Sequence, residues 1–180
     1  MQTAALTALA VLALAPSAWC DVADSSPNGF TVKITMQIQA PPADVYRKIV
    51  NNIGDWWSPV HTFSHNPHNL SLDAKAQGCF CEKLANQGSV RHMEVLTAMP
   101  GERLVLSGAM GPLQPMALTA TMTIQLAAAA GGTKLDLTYA AGGYVAGGLT
   151  NWAKILDSVM TDQMTRLKAF AETGSPEVKH

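Results

Sequence analysis

Apolar and polar residues alternate along several stretches of this chain, and the alternation predicts strands. Residues 32–38 place every second side chain, all apolar, on one face, as a half-buried strand does. The same pattern is clearest over residues 116–126 and returns over 135–139, after the Gly131-Gly132 turn. Strands with one apolar and one polar face are typical of an antiparallel sheet that covers a core on one side.

Helical periodicity occurs after the first strand and again near the end of the chain. Residues 42–50 predict a short amphipathic helix, and residues 55–57 predict a second, very short one. The final helix begins near Thr150 and ends before Gly174. Its apolar residues recur at three- and four-residue spacing, as in a helix buried along one face. They are Trp152, Ile155, Leu156, Val159, Met160, Met164 and Leu167.

Trp56 and Trp57 stand side by side at the second short helix. Two adjacent indole rings, in a chain with few aromatic residues, are expected to occupy different environments. We predict that one ring seals the core and that the other lines a surface or an opening.

The order of these elements is a strand, short helices with the Trp pair, a meander of strands and a long helix. Over residues 31–174 this order resembles the START-like (SRPBCC) helix-grip superfamily. That superfamily includes polyketide cyclases/dehydrases, Bet v 1-like carriers and the domain related to activators of the Hsp90 ATPase. The resemblance implies an α+β fold. A curved antiparallel sheet wraps around the long C-terminal helix, and two short helices follow the first strand.

A pocket is expected where the sheet and the long helix do not quite meet. The inward faces are rich in methionine, which suits a permissive binding surface but also fills ordinary cores. We expect an enclosed apolar cavity against residues 116–126, bordered by the Trp pair, the 111–115 loop and Tyr144. The candidate ligand-binding residues are Trp56, Trp57, His92, Met116, Met122, Tyr139, Tyr144, Trp152 and Met160.

His92 and Glu94 alternate onto one face of their strand. If that face lines the pocket, the two side chains could form an acid–base pair. The alternative is a solvated face on which Glu94 pairs with a neighbouring cation. The chain has no nucleophile elbow, phosphate loop or zinc-protease motif, so no catalytic residue is assigned.

Cys79 and Cys81 lie on one face of a strand, and Phe80 lies on the other. Three interpretations remain open: two buried thiols that only pack, a strained disulfide, and a site for a soft metal. An oxidising compartment would favour the disulfide.

His61, His65 and His68 follow the Trp pair at spacings of four and three residues. Such spacings suit a metal if the loop forms a helical turn. Pro59 and Pro67 argue against a regular helix there. We therefore predict neither a metal site nor a cofactor.

The N-terminus differs from the rest of the chain. Residues 4–15 form an apolar run that is too short to span a bilayer and typical of a secretory signal. Small residues follow at the spacing that a signal peptidase recognises, so the mature chain is predicted to start between about residues 18 and 24. The protein is therefore predicted to be secreted or periplasmic. The predicted division is a signal peptide at 1–20, a flexible lead at 21–29, the domain at 30–174 and a flexible tail at 175–180.

A lipid anchor on Cys20 is the alternative to simple secretion. Trp19 disfavours it, because the residue before a lipidated cysteine is usually small. No later segment is long and apolar enough to predict a membrane span.

Composition narrows the function classes. The 180 residues are 48% hydrophobic and 14% charged, which excludes a disordered chain, and the net charge of -1 excludes an electrostatic nucleic-acid surface.

The sequence favours a secreted, non-catalytic domain that binds an apolar small molecule or lipid. A cyclase or aromatase-like enzyme would need His92, Glu94 or Tyr139 inside the cavity. A protein-interaction module is the third alternative, and the secretion signal counts against it.

Overall fold

The computed structural model describes residues 19–177, with side chains from Val22 onwards. The predicted signal segment, apart from its last two residues, and the last three residues of the predicted tail lie outside the described part of the chain. The elements are β1 (Trp19–Ser26), β2 (Gly29–Ile38), α1 (Pro42–Asn51), α2 (Ile53–Trp56), β3 (Leu70–Leu72), β4 (Cys79–Lys83), β5 (Ser89–Met99), β6 (Arg103–Ser107), β7 (Ala117–Ala129), β8 (Gly132–Tyr144) and α3 (Thr150–Thr173).

The eight strands form one open, curved antiparallel sheet in the order β1-β2-β8-β7-β6-β5-β4-β3. α1 and α2 lie between β2 and β3 in the chain, and α3 follows the last strand. The predicted helix-grip fold class is therefore confirmed.

The core lies between the inner face of the sheet and α3. On β7 and β8 every second side chain is buried over most of each strand, as the alternating pattern predicts. α3 buries Leu156, Met160, Met164 and Leu167 against this layer. Ile155, which the predicted stripe includes, is half exposed instead and leaves the core open at that point.

The predicted flexible lead at residues 21–29 is wrong. Residues Trp19–Ser26 form β1, which pairs antiparallel with β2 and places Val22 opposite Val32. The segment is polar because β1 is an edge strand whose outer side meets solvent, so its composition is similar to that of a loop. The turn after β1 is also fixed, since the Leu149 amide donates to the Pro27 carbonyl at 2.9 Å.

Among the helices that the structure describes, none combines the length and the apolar character needed to cross a membrane.

Candidate functional site

A cavity of about 360 Å³ opens beside the first half of α3. Its walls come from α3, the segment 57–63 after the Trp pair, β4, β5 and the loop at 110–112. The side chains on the wall are mostly apolar, with His61, Thr62 and His92 as the polar exceptions. A concave, mainly apolar space with a few polar groups is the usual form of a small-molecule site.

The mouth of the cavity exposes large apolar side chains. Val60 is 72% exposed, Ile155 50% and Phe63 49%, and all three line the cavity. Exposed apolar groups that cluster around an opening mark a site of contact with a ligand or a partner.

The segment 57–64 forms one side of the mouth and is attached at both ends. Gln163 of α3 accepts a hydrogen bond from the Ser58 amide at 2.9 Å. Arg166, also on α3, donates to the Trp56 carbonyl at 2.9 Å. At the far end the Glu82 carboxylate of β4 accepts from the backbone amides of Phe63 and Ser64, so the segment bridges helix and sheet across the opening.

Both indole rings of the Trp pair are buried, and they occupy different environments, as predicted. The rings are in contact, with centroids 5.4 Å apart, and both border a small internal void, but only Trp57 also lines the cavity. Trp56 packs in the core and donates to the Lys48 carbonyl at 3.0 Å. Trp57 lines the cavity, donates to the His61 carbonyl at 3.1 Å and meets Phe80 edge-on at 5.5 Å.

Replacing each ring separately should distinguish these two positions. Trp56→Ala is expected to lower the free energy of unfolding by about 3–5 kcal/mol, because it empties a packed core position. Trp57→Phe keeps an aromatic wall and should leave stability within about 1.5 kcal/mol while changing ligand affinity. Chemical denaturation and dye titration of both variants provide the measurements. Equal losses of stability would contradict the assignment of Trp56 to the core and of Trp57 to the cavity wall.

A β-bulge turns His92 into the cavity. Phe80 pairs with Met93 while the next residue, Cys81, pairs with Arg91, so His92 is the extra residue of β5. Both His92 and Met93 are buried as a result. The imidazole lies between two aromatic rings, 5.0 Å from Phe80 and 5.9 Å from Phe63.

Gly108, directly after β6, lies against this bulge. A Cβ atom at that position would come within 3.0 Å of the His92 carbonyl oxygen and 3.2 Å of the Met93 Cα. Its φ of +134° is also one that other residues rarely adopt. A glycine is therefore required for the sheet to close beside the bulge.

Glu82 is the buried acidic partner of His92. Its carboxylate, with a side chain 0% exposed, lies 3.0 Å from His92 Nε2. It also accepts hydrogen bonds from the backbone amides of Phe63 at 3.1 Å and Ser64 at 2.6 Å. One carboxylate thus orients the imidazole and holds the segment at the cavity mouth.

Sequence reasoning missed Glu82, although a signal was present. Phe80 and Glu82 alternate onto the same face of β4, and Phe80 is an evident core residue. A carboxylate on an inward face is rare unless it is paired, so its position alone could have indicated a functional or structural partner.

Of the two interpretations that the sequence leaves open for Glu94, the structure supports the ion pair with a neighbouring cation, and Glu94 does not pair with His92. Glu94 lies at the surface and forms an ion pair with Arg91 at 3.1 Å. The bulge is the reason: it shifts the alternation by one residue, so the two side chains no longer share a face.

The surroundings favour an ionised Glu82 and a neutral His92. Burial raises the pKa of Glu82, but hydrogen bonds from Ser64, Phe63 and His92 outweigh it and hold that pKa below its ordinary value. Burial lowers the pKa of His92, and the attraction of Glu82 offsets only part of this effect. The imidazole is therefore neutral near pH 7.

Acidification should destabilise the fold from about pH 6.5 downwards. The unfolded chain protonates His92 near its ordinary pKa of 6.5, whereas the folded chain resists protonation until a lower pH. The stability that His92 contributes is thus complete above that pH and is lost as the pH falls. Glu82, whose ordinary pKa is 4.5, adds a further loss below it.

Thermal midpoints between about pH 7.5 and pH 5 would measure the effect of His92. The His92→Phe variant should give a flatter profile than the wild type over this range. A wild-type midpoint that is constant across it would contradict the expectation.

The structure brings four of the nine candidate residues to the cavity wall, namely Trp57, His92, Trp152 and Met160. Trp56 and Met122 border a separate internal void of only about 20 Å³. Met116, Tyr139 and Tyr144 border neither space.

The cavity itself lies elsewhere than expected. Side chains of α3 and of the 116–126 face together border only the small void, while the larger space opens towards β4 and β5. Tyr139 is fully buried in the core, and burial raises the pKa of its hydroxyl to about 12. Tyr144 ends β8 and is 75% exposed. Of the residues expected to border the cavity, Trp57 and the first two residues of the 111–115 loop do line it.

Cys79 and Cys81 form a disulfide, which selects one of the three interpretations left open by the sequence. Their Cα atoms are 5.3 Å apart, within the usual range for a disulfide. The bridge spans Phe80, whose ring points the other way, into the cavity.

The three histidines after the Trp pair do not come together. His61 approaches Asp162 at 3.8 Å, His68 approaches Asp55 at 3.8 Å, and His65 is exposed. Within residues 19–177 no group of three or more His, Cys, Asp or Glu side chains has an arrangement that could hold a metal ion.

The fold and the cavity define the class of protein: a helix-grip domain with an open apolar cavity beside its C-terminal helix. Several solved structures are similar to it. CalU16 from Micromonospora echinospora is 17% identical with a TM-score of 0.60, and the match covers 90% of this chain and 88% of CalU16. Protein CV1439 from Chromobacterium violaceum is 20% identical with a TM-score of 0.53, covering 82% and 99%.

DynU16, from the dynemicin biosynthetic locus, is 19% identical with a TM-score of 0.56. That match covers 81% of this chain but only 48% of DynU16. At such identities these similarities show the shared fold. No protein-family profile matches the chain, and no curated protein sequence is similar to it.

Proposed function

We propose that this protein binds an apolar small molecule in the cavity beside α3, without catalysing a reaction on it. The observation that carries the proposal is the combination of an apolar wall with exposed Val60, Phe63 and Ile155 at its mouth. The volume of about 360 Å³ is at the lower end for ligand sites. It therefore fits a compact molecule of one or two rings better than a whole lipid.

Membership of the START-like (SRPBCC) superfamily is part of this proposal. The element order of the sequence and the similarity to CalU16 and DynU16 support it. Superfamily members include carriers that bind apolar molecules inside the same fold, which agrees with the role proposed here.

A cyclase or aromatase-like enzyme is the second candidate. The Glu82–His92 pair favours it, because a neutral imidazole backed by a carboxylate can accept a proton from a bound substrate. The description of DynU16 as belonging to a biosynthetic locus is consistent with such a role. A carrier would return its ligand unchanged after prolonged incubation, whereas an enzyme would convert it.

Native mass spectrometry of gently extracted protein tests the binding function. The expected result is a co-purifying compact molecule that denaturation releases. For protein that purifies empty, titration with the uncharged dye N-phenyl-1-naphthylamine should show one saturable site. Absence of both signals would overturn the proposal and would leave the apolar mouth as a surface for a protein partner.

We further propose that the protein is exported. The apolar run at residues 4–15 supports export, and so does the Cys79–Cys81 disulfide, because disulfides persist mainly in oxidising compartments. N-terminal sequencing of protein from its native host should find a start between about residues 18 and 24. An intact chain in the cytosol would refute this assignment.

A further inference from the structure

We infer that the cavity ligand is a neutral ring compound with a hydroxyl group that donates a hydrogen bond to Nδ1 of His92. The inference rests on the proposed binding function and names the ligand class for the same cavity. It follows from the tautomer that the structure imposes on His92 and from the position of the ring in the wall.

Glu82 fixes the tautomer. Its carboxylate already accepts from two backbone amides, of Phe63 and Ser64, and these donors favour its ionised form. An ionised carboxylate can only accept hydrogen bonds. The 3.0 Å contact must therefore be a donation from His92 Nε2–H, and in the neutral ring the lone pair is on Nδ1.

Nδ1 is available to a ligand. No residue in the described part of the chain forms a hydrogen bond with it. Nδ1 is also not completely buried. Among the described side chains, the one completely buried polar atom without a hydrogen-bond partner belongs to Tyr46, so Nδ1, which has no partner, must be accessible. Since His92 is part of the cavity wall, its acceptor atom can meet a donor that the ligand supplies.

The other polar wall groups have partners of their own. The Thr62 hydroxyl donates to the Pro59 carbonyl at 2.8 Å. His61 lies towards the mouth, near Asp162. An anionic ligand is disfavoured because the carboxylate of Glu82 lies directly behind the imidazole. A phenol or alcohol on an apolar skeleton therefore matches the site best.

A matched pair of probes tests the inference. 2-Naphthol and 2-methoxynaphthalene share one skeleton, but only the naphthol can donate a hydrogen bond. Equilibrium dialysis with the wild-type protein should give roughly tenfold tighter binding of the naphthol, since the ether leaves Nδ1 without a partner. The His92→Phe variant should lose this preference and still bind the ether.

The outcomes separate this inference from the proposed function. If both probes bind saturably with equal affinity, and a substitution that fills the cavity abolishes both, the cavity binds ligands but the hydroxyl inference is wrong. If neither probe binds saturably, the proposed function fails and the inference fails with it. If His92→Phe does not fold, the comparison of the two probes on the wild-type protein still decides the question.

Discussion

Replacing Glu82 by alanine is expected to lower the free energy of unfolding by about 3–5 kcal/mol, because three buried donors lose their acceptor and each such loss costs about 1–3 kcal/mol. The substitution leaves His92 and the backbone amides of Phe63 and Ser64 without their common acceptor. The segment at the cavity mouth would also lose its attachment to the sheet. Urea unfolding, followed by intrinsic tryptophan fluorescence, provides the measurement.

Glu94→Ala is the matched control. It removes a carboxylate from the neighbouring strand whose only partner among the described residues is Arg91, at the surface. Exposed pairs contribute little, so the loss should stay within about 1 kcal/mol. Similar small losses for both variants would show that Glu82 does not hold the mouth in place.

Filling the cavity from α3 is expected to weaken ligand binding roughly 10- to 100-fold, which corresponds to about 1.4–2.8 kcal/mol. Val159 lines the cavity and is only partly buried, so Val159→Trp places an indole in the ligand space. Met122 is a poor choice for this purpose, because it borders the small core void, where a larger ring would strain the packing. Titration with N-phenyl-1-naphthylamine measures the change.

Ser158→Trp serves as the control for that experiment. Ser158 precedes Val159 on the same helix, is exposed and does not line the cavity. It adds the same side chain to α3 without occupying the site, so dye affinity should be unchanged. Unaltered binding in the Val159→Trp variant, with folding confirmed, would place the dye outside this cavity.

The sequence predicts the frame of the fold well because burial is one-sided in most of its elements. The alternation over 116–126 and 135–139 follows directly from strands with one face in the core. The apolar stripe of α3 likewise reflects its contact with the sheet, apart from Ile155, which the cavity leaves exposed. The sequence pattern did not predict β1, because an edge strand needs no apolar face of its own.

The site was harder to predict because it depends on strand pairing. The inward direction of His92 results from a bulge whose extra residue is visible only in the register of β5 against β4. The partnership of His92 with Glu82 joins two strands and a loop, and no local pattern records it. The cavity arises where packing is incomplete, and the positions of core methionines do not indicate where that occurs.

The position of β1 has a practical consequence for producing the protein. β2 would become an unprotected sheet edge in a chain trimmed to the apparent domain start at residue 30, since its hydrogen-bonding partner would be missing. Unpaired edges recruit strands from other molecules, so such a trimmed protein should self-associate. Recombinant versions that retain the part of β1 present in the mature chain keep this edge covered and make the polar N-terminal segment part of the sheet.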